Sequence, residues 1–100
     1  MEKKRFKITP AVYLVLIKEN KILLLRRCNT GFHDSEYSFV AGHFDGKETA
    51  RQAMVREAKE EAGINLGINN LKVIHVLNRL SKFNPEYMNE RIDIFLQADS

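Results

Sequence analysis

The chain has 100 residues, 44% of them hydrophobic and 29% charged, a composition that suits one small globular domain with a single core. Its formal net charge of +3 and sequence pI near 9.1 are only mildly basic, compatible with an anionic small molecule and too weak to single out nucleic acid. One cysteine, Cys28, excludes an internal disulfide and fits a reducing compartment, and nothing approaches the roughly 20 apolar residues of a membrane span, so the expectation is a cytoplasmic protein.

The first seven residues, MEKKRFK, form a basic arm that reads as solvated. Residues 11–17 (AVYLVLI) and 22–25 (ILLL) are apolar, β-rich runs. The polar KENK between them contains Asn20, which tolerates turn geometry, so the pair predicts a β-hairpin. Arg26 and Arg27 leave the second strand, and residues 28–36 are a polar loop. A short strand over 37–40 runs directly into Ala41 and Gly42.

Two glycines and the Asp45-Gly46 pair mark a tight loop over 42–48. Thr49 is placed to cap a helix, with Gln52 at the reciprocal capping-box position, and Gly63 follows the helix where a left-handed cap is usual. A strand is expected over 71–77, a polar loop over 81–89, and a strand with one wet face over 91–98. The order β-β-β-α-β-β is mixed rather than strictly alternating. It predicts an α/β or α+β sandwich on a mixed sheet, and not a doubly wound parallel fold. One helix covers at most one face of such a sheet, which leaves the other to a further segment or a partner.

The helix carries the chemistry. Ala50, Ala53, Met54, Glu57, Ala58 and Glu61 fall at i, i+3, i+4, i+7, i+8 and i+11, so Glu57 and Glu61 should lie within the inward stripe. Glu60 joins them at i+3 of Glu57, and three carboxylates converge on one patch. Arg56 is spaced to offset Glu60 at i,i+4 but not to reach round to Glu57 and Glu61. A hard divalent cation would make that arrangement tolerable, because Mg²⁺ takes oxygen ligands and commonly shares them with substrate phosphates. A backbone carbonyl near Ala41 could add a ligand, since the adjoining glycine permits close approach. Helices rich in Glu, Lys and Arg are more often plain solvated faces; here the glutamates fall among the alanines instead of opposite them.

Gly42, then five residues, Glu48, then seven residues, then REAKEEAGI from Arg56 to Ile64 resembles the Nudix box, G-x5-E-x7-R-E-U-x-E-E-x-G-U. All seven fixed letters match: Gly42, Glu48, Arg56, Glu57, Glu60, Glu61 and Gly63; Ala58 is smaller than the bulky apolar residue usual at its place. The resemblance implies a single Nudix domain over 1–100 with its box at 42–64. The implied fold is an α/β/α sandwich, whose closing C-terminal helix would fall beyond this chain. The implied activity is hydrolysis of a nucleoside diphosphate linked to another group, with Mg²⁺ or Mn²⁺. A (deoxy)nucleoside triphosphate is the expected substrate.

By the same resemblance, Glu57 and Glu61 are the principal metal ligands, with Glu60 a further or water-mediated one and the Ala41 carbonyl the backbone ligand. Arg56 orients the glutamates and Glu48 supports the loop; Glu57, Glu60, Glu48 and Arg56 form the catalytic set. Family members take their general base either from the box or from a later carboxylate, for which Glu90 and Asp93 stand as candidates. Arg26, Arg27 and His43 are candidate phosphate contacts. Against each stands a plainer reading, a surface pair for the arginines and a solvated loop position for His43. Tyr37, Phe39, Phe44 and Phe32 could stack a base, although aromatics beside a short strand are more often core. The expected partner is a small nucleotide, without membrane or nucleic acid, and a homodimer is left open. A nucleotide- or metal-binding module of the same fold with little turnover is the alternative.

Overall fold

The computed structural model describes residues 8–26, 37–80 and 90–99. The basic arm, Arg27, Cys28, Phe32, His33 and the loop around Pro85 lie outside them. Among the described residues, seven strands and one long helix follow in the order β1 (Ile8–Lys18), β2 (Lys21–Ile22), β3 (Leu25–Arg26), β4 (Tyr37–Ser38), β5 (Val40–His43), α1 (Ala50–Ala62), β6 (Lys72–Leu80) and β7 (Glu90–Asp99). A 3₁₀ turn, Ile68–Asn70, precedes β6.

The predicted hairpin closes on two residues. Lys18 pairs with Lys21, and Glu19 and Asn20 between them both take left-handed φ values of 52° and 63°. Positive φ at both central positions is the hairpin turn whose twist matches its flanking strands. The second strand is shorter than its apolar run suggests. Ile22 pairs with β1, but Leu25 has passed into a separate two-stranded sheet with β4. The 37–40 strand likewise breaks at Phe39, and β5 continues through Gly42 to His43.

The main sheet is mixed, in the order β2-β1-β7-β6, with β5 also pairing β1. β1 and β7, far apart in sequence, run parallel over their full length, from Ile8 opposite Glu90 to Ile17 opposite Asp99. The period of two in β1 therefore sorts its residues onto two faces. Val12, Leu14 and Leu16 turn with Leu96, Ala98 and Val40 toward α1, whose Ala53, Met54 and Ala58 complete the core. The small alanines let the helix lie close to the sheet. Met54, fully buried, contributes on the order of 1.5–3 kcal/mol of transfer free energy. Arg51 donates from Nε to the Leu71 carbonyl (3.0 Å), tying α1 to the start of β6.

β7 departs from expectation. Alternation predicted one wet face, yet Asp93, on the polar register, is 2% exposed. Strand β7 is internal, flanked by β1 and β6, and Asp93 is paired there with Arg79 of β6 and Arg91 of its own strand. Tyr13 stacks on Phe95 (ring centroids 4.8 Å apart), Phe39 meets Phe95 edge-on, and His75 tilts against it. The edge strand β6 is exposed throughout. Among the described residues one helix, α1, covers one face of the sheet, so the arrangement is α+β with a single helical layer. No helix among them is long and apolar enough to cross a membrane.

Candidate active site

The site is built where β5 hands the chain to α1. Residues 44–49 turn tightly, with Gly46 (φ 88°) and Lys47 (φ 56°) in consecutive left-handed conformations. The Asp45 N–H donates to Glu48 Oε1 (2.8 Å), which folds the Glu48 carboxylate back over the turn. At Thr49 the capping box forms in full: the Gln52 N–H donates to Thr49 Oγ1 (3.2 Å) and the Thr49 N–H to Gln52 Oε1 (2.8 Å). At the other end Gly63 (φ 67°) closes the helix with its N–H directed at the Lys59 and Ala58 carbonyls. These two caps fix where α1 begins and ends, and hence which of its turns faces β5.

Arg56 is the hub. Its guanidinium makes a two-pronged contact with Glu48, Nη2 to Oε1 at 2.8 Å and Nε to Oε2 at 3.1 Å. Nη1 donates to Glu57 Oε1 (2.7 Å) and Glu60 Oε2 (3.2 Å), and Nη2 also donates to the His43 carbonyl (3.0 Å). Asp45 Oδ2 lies 3.3 Å from Nε. A planar cation with five donors can serve this many acceptors at once; an ammonium could not. Its hydrogen bonds to the Glu48 and then the Glu57 carboxylate raise the Arg56 pKa further, so it is permanently charged. In return the Arg56 hydrogen bond, followed by the Asp45 N–H, holds the Glu48 carboxyl below its ordinary range.

Two expectations for this helix are corrected. Arg56 does reach Glu57: the contact is made by the end of the guanidinium, which extends past its own turn, a reach that Cβ spacing does not reveal. Glu61, expected within the buried stripe, is exposed. Full burial on α1 is confined to Ala53, Met54 and Ala58; in the last turn Ala62 packs partly against the core while Glu61 stays outside it. Glu57 is different, with 17% of its side chain exposed.

Gly42 explains how Glu57 is accommodated. Residue 42 points from β5 toward α1, and a Cβ there would overlap the Glu57 carboxyl group. The carboxylate thus fills the space that any other residue would need, held by Arg56 on Oε1 and by the bare Gly42 backbone beside Oε2. This glycine is required by a close approach rather than by its backbone angles.

As a cation site the donor types fit. Glu57, Glu60, Glu61 and the backbone of Ala41 offer only hard oxygens, and the glycine cradle keeps Glu57 at the strand end. The three carboxylates do not gather as the helical spacing suggested: among the described residues no three His, Cys, Asp or Glu side chains converge closely enough to hold an ion as they stand. Arg56 is the physical reason, since it draws Glu57 and Glu60 to itself.

Of the candidate phosphate contacts, His43 sits at the end of β5 with an exposed side chain, and its carbonyl serves Arg56. Arg26 lies on β3 with only its backbone described, as does Tyr37 on β4, and Arg27 is outside the described residues. Phe44 packs against the core and Phe39 against Phe95, both in structural roles. Glu90 is half-buried at the start of β7. Asp93 stands away from the α1 glutamates on the opposite face, bound to Arg79 Nε at 2.5 Å. Asp45 was not singled out from the sequence. The available signal was its place three residues before Glu48 in a glycine turn, which brings its backbone and carboxylate to the same guanidinium.

The NUDIX domain family model matches residues 7–100, and the chain belongs to the Nudix family. It is 38% identical over 66 residues to an ADP-ribose pyrophosphatase of Methanocaldococcus jannaschii, a match covering 64% of this chain and 38% of the relative. It is 30% identical over 89 residues to the ADP compounds hydrolase NudE of Escherichia coli, covering 89% of this chain and 45% of the relative. The chain thus spans less than half the length of these curated relatives. Among solved structures, a MutT/nudix family protein from Enterococcus faecalis superposes with TM-score 0.80 at 21% identity, over 99% of this chain and 39% of that one. The NUDIX domain of Shewanella oneidensis NrtR, complexed with ADP ribose, superposes with TM-score 0.72 at 16% identity, over 96% and 62%. At those identities the superpositions define the fold alone.

Proposed function

We propose that this protein hydrolyses the pyrophosphate bond of a nucleoside diphosphate linked to a second group, in a reaction dependent on a divalent cation, with ADP-linked compounds as the substrate class. The observation that carries the reading is the Glu57 carboxylate seated against Gly42 and oriented by Arg56, in a chain with the full Nudix box. The preference for ADP-linked compounds over the (deoxy)nucleoside triphosphate expected from sequence is supported by the names of the two curated relatives, an ADP-ribose pyrophosphatase and an ADP compounds hydrolase. Both substrate types present the same reacting bond.

In the proposed reaction a water oxygen attacks one phosphorus, the bridging P–O bond breaks, and a nucleoside monophosphate leaves together with the phosphorylated second group. Glu57, Glu60, Glu61 and the Ala41 carbonyl would hold the cation, Mg²⁺ or Mn²⁺. When bound, it neutralises phosphate oxygens and acidifies a coordinated water. Arg56 fixes the direction of Glu57 and, through Glu48, the loop that leads into α1. A carboxylate of the α1 cluster within hydrogen-bond reach of the water takes its proton. His43, exposed at the end of β5, is proposed to meet a phosphate, together with Arg26 and Arg27.

The test is product release from ADP-ribose, other ADP-linked compounds, nucleotide sugars and nucleoside triphosphates with Mg²⁺ or Mn²⁺, with Glu57→Gln in parallel. Release from ADP-linked compounds that falls by on the order of 10²-fold or more in Glu57→Gln is the expected result. Cation-dependent nucleotide binding with no release from any substrate would overturn it in favour of a binding module.

A further inference from the structure

Among the described residues β6 is an edge strand of the main sheet, and it is apolar on both of its faces. Val73, Ile74, Val76, Leu77 and Leu80 are each between 41% and 55% exposed. Pairing puts Val73 and Val76 on the α1 side, opposite Leu96 and Ile94, and Leu77 on the other side, opposite Asp93. Such a strand has no apolar–polar alternation to fix its register, because a slip of one residue only exchanges one apolar set for another. Its pairing is nonetheless specific, and it is interrupted. Lys72 and Val73 face Gln97 and Leu96; from His75 onward the register has moved by one residue, with His75 facing Phe95 and Arg79 facing Arg91. Ile74, between them, faces no residue of β7.

A bulge of this kind leaves one residue out of the ladder, and two anchors account for it. At the N-terminal end Leu71, 2% exposed, belongs to the core, and its carbonyl accepts from Arg51 Nε of α1 at 3.0 Å. That contact sets the first register. At the other end Arg79 Nε binds Asp93 Oδ2 at 2.5 Å, and Arg79 Nη2 donates to the Tyr13 hydroxyl at 3.4 Å. Asp93 is 2% exposed, and its second arginine, Arg91, comes no nearer than 3.8 Å. That contact sets the second register. Continuing the first register without a bulge would set Ile74 opposite Phe95, Val76 opposite Asp93 and Arg79 opposite Glu90. Arg79 would then stand on the α1 side, and the buried Asp93 carboxylate would lose the cation that binds it. Carrying the second register back would set Ile74 opposite Leu96 and draw Leu71 one residue out of its place in the core.

We infer that β6 is pinned at its two ends in registers one residue apart, that Ile74 absorbs the mismatch, and that the Asp93–Arg79 pair selects the register of the C-terminal half. The pair acts as a device of specificity, because both registers offer apolar residues to both faces and only one of them brings a cation to Asp93. What it decides is the make-up of the sheet face turned away from α1. In the register observed, His75, Leu77 and Arg79 stand beside Phe95, Asp93 and Arg91, and His75 tilts against Phe95 at 5.8 Å. In the slipped register Ile74, Val76 and Asn78 would take those places. Without the pair, β6 becomes an edge strand with two alternative packings.

The experiment reads cross-strand nuclear Overhauser contacts between β6 and β7 in isotopically labelled protein, together with urea midpoints. Asp93→Leu combined with Arg79→Leu removes the pair and leaves no carboxylate behind. It is expected to lose the bulge, with Ile74 opposite Phe95 as the main species. His75 still opposite Phe95 in that variant overturns the inference. Deletion of Ile74 works from the other direction, since it lets both anchors share one continuous register. It is expected to fold with the His75–Phe95 and Arg79–Asp93 contacts kept and a urea midpoint no lower than that of the unmodified protein, whereas one alanine inserted after Ile74 widens the mismatch and lowers the midpoint. Loss of those two contacts on deletion, or equal midpoints for the deletion and the insertion, overturns the inference even if the double variant does not fold.

Discussion

Arg56 and Glu48 meet through two parallel hydrogen bonds, Nη2 to Oε1 at 2.8 Å and Nε to Oε2 at 3.1 Å, joining the middle of α1 to the loop before it. A guanidinium makes this pairing while Nη1 remains free for Glu57 and Glu60. Arg56→Lys keeps the charge and loses the fork. Hydrolysis should fall by on the order of 10²-fold, as for loss of an oriented catalytic group, with far-ultraviolet circular dichroism unchanged. A lysine variant with full activity would show that charge alone is needed at this position.

Gly42→Ala places a methyl group in the space of the Glu57 carboxyl. Strand or helix must shift, and overpacking of this kind costs about 1–3 kcal/mol, measurable by urea denaturation. The cause is testable by combination. Gly42→Ala with Glu57→Ala removes the clash, so the double variant should be more stable than the additive sum by about 0.5 kcal/mol or more. Strict additivity would place the cost of the alanine elsewhere.

Thr49 holds the first turn of α1 through its side chain and its reciprocal bond with Gln52. Thr49→Ala should cost about 1 kcal/mol of stability. Because the cap sets the start of the helix and not the Arg56 contacts, activity per folded molecule should be retained, as checked by comparing the urea midpoint with the turnover number.

Glu48 supplies a pH dependence with a definite sign. Its carboxyl titrates below the ordinary value of 4.5, chiefly because Arg56 hydrogen-bonds to it, so the folded state binds that proton less readily than the unfolded chain. The resulting stabilisation is fully present above that ordinary value and is lost as pH falls through it toward the lowered folded value. Glu48→Gln should therefore flatten the decline of the urea midpoint on the acid side of 4.5, relative to the unmodified protein. An identical acid limb in both would mean that Glu48 is not the titrating group.

Tyr13 behaves in the opposite direction at alkaline pH. Burial first, and the neighbouring Asp93 charge second, raise its phenol above 10.0. The contribution to stability is present below that value and is lost as pH rises through the raised one. Ultraviolet difference titration should show a phenol ionising above the ordinary range, and Tyr13→Phe should remove that late component.

Much of the site could be read along the chain because its parts lie within a few residues of one another. Thr49 and Gln52, Gly63, and the helical spacing from Arg56 to Glu61 are local relations that backbone geometry turns directly into a capped helix with charges on known turns. The hairpin at Glu19 and Asn20 is local in the same sense. What periodicity could not say is how far a long side chain reaches, and so it missed Arg56 bonding to Glu57 and to the His43 carbonyl. Nor could it say which positions of the stripe the sheet covers, and so Glu61 emerged exposed.

Asp93 illustrates the remainder. In sequence it is a polar residue on an alternating strand, indistinguishable from one that faces water. Only the pairing of β7 with β1 on one side and with β6 on the other surrounds it with Ala11, Leu77 and the two arginines. The box's resemblance pointed to the family, and its local spacing determined the helix and its carboxylates, since a turn of helix is a short-range object. Which of those carboxylates is buried, and that a second polar cluster stands on the far face, was decided by long-range strand pairing, because burial depends on what the rest of the chain places overhead.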